Sequence, residues 1–437
     1  MRTGSAARPS CPAMSRVLPK VIVVAGTTGV GKSQLSIELA RRFNGEVINS
    51  DAMQVYRGVP IVSNKHPFEE REGVPHHVMD YVPWGEEYHI QRFERDARSA
   101  IDDILCRGKV PVIVGGTHYY LQMLFEKLVP SAEGSSDTVA LSPEQRAILD
   151  SNDKDKVYEA LRDADPTTAA RFHPNDTHRV RRMLEIFYTT GTPPSETFAK
   201  QTTTLRYDTL FLWLYSDPQP LDTRLDARVD QMLKLGAPEE IDELYADWLA
   251  RDKPPCTGGV WQVIGFKEFL PWLQDGRRDD KLWQQGVDAM KLHTRQYARR
   301  QVKWIQKMLI PDVGAERVYV LNATDLTKWH SLVGDRAGSI AQQFMTNGAD
   351  SITEAHAPPE LERLVSQEAT VARKAEATSD FKRYTCNVCR NHDDEKLIAI
   401  GTRNWEIHVR SRRHKSNLNR GAKKAAYEKW KAEQNNE

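Results

Sequence analysis

Gly26-Thr27-Thr28-Gly29-Val30-Gly31-Lys32-Ser33 fits G-x-x-x-x-G-K-[ST] and lies between a β-branched run, Val21–Ala25, and a stretch with Leu35, Leu39 and Phe43 at helical spacing. A phosphate-binding loop requires that context. The glycines let backbone N–H groups turn toward an anion, and the helix N-terminus adds positive potential. Lys32 adds a full charge, and Ser33 has the hydroxyl that ligates Mg²⁺. The bland alternative, a tight turn without a ligand, does not explain why strand, spacing and helix occur together. The loop specifies a polyphosphate without specifying a nucleotide.

A phosphoryl-transfer enzyme of this type usually also has an apolar strand ending in an aspartate that holds Mg²⁺. Here the apolar run Val110–Val114 ends in Gly115-Gly116-Thr117 instead. The acid at a strand end near the loop is Asp51, in Asn49-Ser50-Asp51-Ala52-Met53-Gln54-Val55-Tyr56. It reads either as a kinase-type metal-linked acid or as a general base aimed at a second substrate, and the loop does not separate the two.

A second chemical constellation closes the chain. Cys386-x2-Cys389 is followed by eighteen residues and then His408-x5-His414. Two thiolates and two imidazoles at this spacing suit tetrahedral Zn²⁺. The middle gap exceeds the usual twelve of DNA-reading fingers. With Trp405 before the first histidine and Ser411-Arg412-Arg413-His414-Lys415 around the second, it looks like the RNA-binding class of finger. Between Arg403 and Lys424 there are eight Lys/Arg and one acid, Glu406, which suits nonspecific contact with RNA phosphates.

The elements that must position these groups follow from periodicity. Val21–Ala25, Glu46–Ile48, Val110–Val114 and Leu210–Tyr215 read as strands alternating with helices, which implies a parallel α/β sheet. Between about 124 and 206 the chain becomes polar and helical. Asp176 is placed to cap a helix running to Thr190, and Gly191-Thr192-Pro193-Pro194 stops it. The expected organisation is a leader (1–20), a first part of the P-loop core (21–123), a helical insertion (124–206), a second part of the core (207–313), a linker and mixed segment (314–380), and the finger with its basic tail (381–437).

At 40% apolar and 28% charged over 437 residues, with a net charge of +1, composition is that of an ordinary globular protein. No apolar run approaches the roughly 18 residues of a membrane span, so no membrane role is expected. Five scattered cysteines do not make a disulfide framework. The first acid is Glu38, and Arg2, Arg8, Arg16 and Lys20 precede it among small and hydroxyl residues. The leader reads as a mitochondrial presequence or as a plain short leader.

The blocks GTTGVGKS at 26–33, INSDAMQVY at 48–56, GGTHYYLQ at 115–122, HPNDTHRVRRMLEI at 173–186, RLDARVDQML at 224–233, GVWQVIGFKEFLPWL at 259–273 and RQYARRQVKWI at 295–305 occur in this order before the finger. Together they resemble the tRNA dimethylallyltransferases, also called tRNA isopentenyltransferases, in their fungal, eukaryotic form. The resemblance runs from Val21 to the C-terminus.

It implies that the chain transfers the dimethylallyl group of dimethylallyl diphosphate to N6 of adenosine 37, beside the anticodon of tRNA. The runner-up is a P-loop nucleotide or nucleoside kinase with an RNA-binding finger. On the family reading, Gly26, Thr27, Thr28, Gly29, Val30, Gly31, Lys32 and Ser33 hold the donor diphosphate together with Arg224; Thr28 and Arg224 are catalytic along with Asp51, and Thr28, Lys32 and Ser33 stabilise the charge that develops on the bridging oxygen. Mg²⁺ sits on Ser33, and Asp51 takes the proton from the amine. Asp51, Ala52, Met53, Gln54 and Thr117 lie by the target base. Arg179 and Arg182 contact the anticodon stem-loop, and Zn²⁺ on Cys386, Cys389, His408 and His414 is structural. The family further suggests a monomer in the cytoplasm and mitochondrion, with the nucleus as a third compartment.

Two readings remain bland without the family. Leu221, Leu225, Val229 and Met232 mark a core face that leaves Arg224 and Arg228 off it, as solvated cations. Arg295, Arg299, Lys303 and Lys307 form an i, i+4 ladder that is either a phosphate stripe or a solvated face.

Overall fold

The computed structural model describes residues 18–126, 141–366, 381–391 and 394–420. Residues 1–17 of the expected leader and 421–437 of the finger and basic tail lie outside them, and Lys20, expected to end the leader, opens the first strand. The chain divides into two compact units, one from Met1–Lys127 with Thr203–Lys374, the other from Leu128–Thr202 with Ala375–Glu437.

The first unit is built on six parallel strands: β1 (Lys20–Gly26), β2 (Gly45–Asn49), β3 (His76–His77), β4 (Val110–Val114), β5 (Asp208–Tyr215) and β6 (Val318–Asn322), in the order β3-β2-β4-β1-β5-β6. A parallel sheet is covered on both faces, so its central strands are apolar at every position. β1 shows the consequence. Val21, Val23 and Ala25 enter one hydrophobic cluster, and Ile22 and Val24 enter the cluster on the opposite face, as the two-residue period of a strand requires. The carboxyl ends of β1, β2 and β4 come together. The backbone ties them there: Ser50 N–H donates to Val114 O at 2.7 Å and Thr117 N–H to Ser50 O at 3.1 Å.

The segment 314–380 is expected as a linker and mixed segment; its described part, 314–366, supplies an edge strand and a covering helix to the core. β6 pairs with β5 from Phe211–Val318 to Tyr215–Asn322. The helix Asp335–Asn347 then buries Ala337, Ile340, Ala341 and Phe344 against the second cluster. Trp329 reaches the P-loop, where a Cβ on Gly31 would lie 2.6 Å from its ring. A single short strand within polar surroundings is too brief a pattern to distinguish this segment from a linker.

The second unit joins two parts of the sequence. Helices Pro143–Leu149, Lys154–Ala164, Pro166–Ala170, Thr177–Thr190 and Pro194–Ala199 enclose a small core of Val157, Tyr158, Leu161, Ala169, Val180 and Leu184. Asp176 caps the Thr177–Thr190 helix through Arg179 N–H, and Gly191 ends it in the left-handed conformation, as its sequence dictates. The C-terminal module adds an antiparallel pair, β7 (Arg383–Arg390) and β8 (Lys396–Ile400), and the helix Thr402–Arg410. It packs on the insertion: Lys154 pairs with Glu395, Arg383 lies over the Tyr158 ring at 5.7 Å and Arg171 over the Phe381 ring at 5.4 Å.

Candidate active site

The P-loop leaves β1 at Gly26 and enters the helix Lys32–Arg42 through Gly31, whose φ of 89° makes it a left-handed N-cap. No β-branched residue could take that conformation cheaply. Lys32 folds back so that its Nζ donates to Thr27 O at 2.7 Å. Burial pulls its pKa down to about 8, against the attraction of Asp51 and in concert with repulsion from Arg228. The Thr27 hydroxyl is buried without a hydrogen-bond partner among the described residues. A depressed lysine beside an orphaned hydroxyl describes a site arranged for an anion.

Two arginines one turn apart on the helix Pro218–Leu235 differ in their hydrogen-bond partners. Arg224, expected to grip the diphosphate, donates to three backbone carbonyls: Gly29 O at 3.0 Å, Ala323 O at 3.2 Å and Thr324 O at 3.1 Å. It fastens the loop to the end of β6. Arg228, expected only as a solvated cation, has a buried Nη1 with no partner among the described residues. Its pKa is depressed by burial and then by Arg224. Among the described residues Arg228 thus keeps a buried donor nitrogen without a partner, close enough to Lys32 to be felt electrostatically. Sequence reasoning placed both arginines off the core face and could not tell which one the loop backbone satisfies.

Asp51 follows β2. Its N–H donates to Asn49 Oδ1 at 3.1 Å, closing a side-chain turn, and its Oδ1 accepts Met53 N–H at 2.9 Å. Burial pushes its pKa above the ordinary carboxylate value, opposed by the Met53 N–H, the Lys32 charge, and then the N–H groups of Gln54 and Gly116. Thr117 Oγ1 accepts Ala52 N–H at 3.0 Å, so the turn after β4 supports the turn after β2. The Gln54 amide donates to Ser63 O at 3.2 Å and Asn64 O at 2.9 Å. The P-loop, residues 51–54 and Thr117 thus share one strand-end face, the usual ligand side of an open α/β sheet.

Three residues of this face were not singled out in the sequence. His118 Nε2 accepts the Gly26 N–H at 3.2 Å, with burial driving its pKa down to about 3, so it stays neutral. Tyr297 and Gln301 reach the Gly116 carbonyl from the helix Asp280–Trp304, at 3.2 and 2.9 Å. Their i, i+4 spacing in RQYARRQ was legible, but the basic residues between them drew the reading to the other face.

That other face is not a continuous phosphate stripe. Arg295 pairs with Asp226, Arg299 with Asp222 and Lys291 with Asp230, lacing two helices together. A π-helical turn at Ile305–Leu309 then takes Lys307 out of register. Arg179 and Arg182 lie in the other unit on the helix Thr177–Thr190. Arg179 is paired with Asp176 and stacked on Phe172 at 5.2 Å, and Arg182 is paired with Glu185 at 2.6 Å.

In the finger, the ligand atoms of Cys386, Cys389, His408 and His414 all lie within 4.8 Å of one another, and the group can hold one metal ion. His414 Nδ1 is 3.5 Å from Cys386 Sγ, 3.6 Å from Cys389 Sγ and 3.1 Å from His408 Nε2. The two nitrogen–sulfur edges match the roughly 3.5 Å of a tetrahedron with zinc–nitrogen and zinc–sulfur bonds of about 2.0 and 2.3 Å, and the four atoms as a group are more loosely spread. Among the described residues of the module only Cys386, Cys389 and Ala399 are buried, too little to fold such a piece on apolar burial alone.

The IPP transferase family matches residues 54–308. A tRNA dimethylallyltransferase of Saccharomyces cerevisiae is 55% identical over 416 residues, which is 94% of this chain and 95% of that one. One from Schizosaccharomyces pombe is 38% identical over 434 residues, or 94% and 97% of the two chains. A solved eukaryotic dimethylallyltransferase acting on tRNA aligns with a TM-score of 0.85 at 54% identity, over 94% of this chain and 100% of its own.

Proposed function

The chain belongs to the tRNA dimethylallyltransferase family, and we propose from that premise how its strand-end face performs the transfer from dimethylallyl diphosphate to N6 of adenosine 37. The observation that carries the reading is Asp51, a carboxylate held by the Met53 N–H after β2 on the same strand-end face as the P-loop and Lys32, where burial raises its pKa. The P-loop N–H groups other than those of Gly26 and Thr28, together with Lys32 and Arg228, hold the diphosphate, and Arg224 holds the loop. Asp51 receives the adenine amine as a hydrogen-bond donor, with Ala52, Met53, Gln54 and Thr117 around the base.

The adenine N6 lone pair is delocalised into the ring, so the amine needs help to attack. As the bond from N6 to the donor carbon forms, the bond from that carbon to the diphosphate oxygen breaks. The N6 proton passes to Asp51, and the electron pair leaves with diphosphate. Charge develops on the leaving oxygen, where the Thr28 side, Lys32 and Arg228 stabilise it. The products are N6-isopentenyladenosine and diphosphate. An adenine within folded RNA must first leave its stack.

Mg²⁺ fits the loop's donor set, because the Ser33 hydroxyl lies in the first turn of the helix after the loop, the Thr27 hydroxyl within the loop is buried without a partner among the described residues, and a hard cation takes few protein oxygens beside phosphate and water. Bound there, it would add charge neutralisation of the diphosphate. Zn²⁺ fits the finger's two sulfurs and two nitrogens and would supply most of its folding energy. Arg179, Arg182 and the finger belong to one compact unit, which would receive the anticodon stem-loop as the two arginines exchange Asp176 and Glu185 for RNA phosphates. The kinase alternative loses its footing at β4, which ends in glycines where the metal-binding aspartate would stand.

The test is incubation of bulk tRNA with dimethylallyl diphosphate or ATP, each labelled in the group that would move. Prenyl label on N6 of adenosine is expected. Phosphoryl label moving from ATP, with no prenyl label on tRNA, would restore the kinase.

A further inference from the structure

We propose that Gln301 is a positioning residue that fixes the separation between the donor loop and the acceptor loop. Its side chain is 3% exposed, and both ends of the amide are used. Oε1 accepts the Thr28 N–H at 2.9 Å, and Nε2 donates to Gly116 O at 2.9 Å. The partners are 273 and 185 residues away along the chain, so nothing local holds them together.

Each partner borders a reacting group. Thr28 belongs to the diphosphate loop. The N–H of Gly116 bonds Asp51, and the next residue, Thr117, carries Ala52. The Gly116 carbonyl also receives Tyr297 OH from one turn earlier on the same helix. The space is filled: a Cβ on Gly116 would lie 2.4 Å from Gln301 Nε2, 3.3 Å from Asp51 Oδ2 and 3.4 Å from Tyr297 OH. The long helix thus reads the position of both loops with one rigid amide. Group transfer depends steeply on that separation, and an error of about 1 Å can cost about 10²-fold in rate.

The inference rests on the transferase reading above. The experiment uses the full chain with Gln301→Met, which keeps length and volume but neither hydrogen bond. Turnover is measured at saturating dimethylallyl diphosphate and tRNA, pyrophosphate affinity by calorimetry, tRNA affinity by filter binding and folding by circular dichroism. Expected is a fall in kcat of about 10²-fold with both affinities within about threefold of wild type. Unchanged kcat, or affinities that fall in step with kcat, overturns the inference.

Gln301→Glu carries the test should the methionine variant not fold. It keeps the acceptor for Thr28 and sets a second carboxylate beside Asp51, which Lys32, Tyr120 and Tyr297 also face. The acid limb of kcat should move to higher pH, since a like charge disfavours the ionised base. A limb that stays in place overturns the inference. Wild type that moves no prenyl label overturns the transferase reading and the inference with it. An active wild type with an equally active methionine variant overturns the inference alone.

Discussion

At the strand-end face, Lys32 is held near pH 8 and Arg228 has a buried donor with no partner among the described residues, inside a sheet whose strands are packed on both sides. In the finger, two thiolates and two imidazoles converge on one point within a module whose buried described residues are Cys386, Cys389 and Ala399. The first region is packed by its own side chains, and its unsatisfied groups are the proposed binding site. The second depends on its ligand for its own shape. Loss of a ligand-binding residue should therefore cost rate in the first region and folding in the second.

The largest effect is expected at Asp51. Asp51→Asn keeps the shape and removes the proton acceptor, so kcat should fall by about 10²–10⁴-fold with tRNA affinity and thermal unfolding unchanged. Wild-type kcat/KM for the donor should be bell-shaped in pH. Below the raised pKa of Asp51 the base is protonated, and above about 8 Lys32 loses the charge that receives the diphosphate. An alkaline limb that persists in Lys32→Met would dissociate that limb from Lys32.

The arginine pair sharpens the same comparison. Arg228→Met should raise donor KM and lower kcat, with a combined loss of about 10²-fold, within the range of one charge-stabilising donor. Melting temperature should hardly change, because a buried cation with an unsatisfied donor is removed. Arg224→Met should lower the melting temperature as well, because three carbonyls lose their donor. The reverse pattern, measured by steady-state kinetics and calorimetry on both variants, would return the diphosphate role to Arg224.

A smaller effect on rate is expected from the finger. Cys389→Ser should unfold β7 and β8 and leave kcat at saturating tRNA near wild type. It should raise tRNA KM and flatten the slope of log affinity against log salt by about 0.7–0.9 for each phosphate the finger no longer neutralises. Because Lys154, Tyr158 and Arg171 pack on the module, the insertion should also gain amide exchange, read residue by residue by mass spectrometry. Loss of kcat at saturating tRNA would contradict the division between the regions.

The smallest effect belongs to the ion-pair ladder. Arg299→Ala breaks an exposed pair with Asp222, worth about 0.2–1 kcal/mol. tRNA affinity should stay within about threefold of wild type at physiological salt, where neutralising one phosphate counts for little. A large fall in affinity by filter binding would return the ladder to the RNA surface.

What could be read in the chain follows from the range of each interaction. The P-loop, the cap at Asp176 and the Cys/His spacing are short patterns with one physical meaning each, and they were legible. Asp51 is legible as an acid at a strand end, and the loop alone does not separate a metal-linked acid from a general base. Arg228, Gln301 and β6 depend on which distant backbone group meets which side chain. Arg224 and Arg228 look alike in RLDARVD, and only the carbonyls of Gly29, Ala323 and Thr324 separate them. The union of the finger with the insertion rests on pairings such as Lys154–Glu395, which no local pattern encodes.

The central claim is that the carboxylate of Asp51 accepts the N6 proton while the P-loop holds the departing diphosphate. It is tested most directly by single-turnover transfer of labelled dimethylallyl groups to a tRNA anticodon stem-loop, measured against pH for wild type and Asp51→Asn. The account predicts an acid limb in wild type above the ordinary carboxylate range, and a residual Asp51→Asn rate at least about 10²-fold lower and without that limb. An Asp51→Asn rate within about tenfold of wild type, with the acid limb retained, would contradict it.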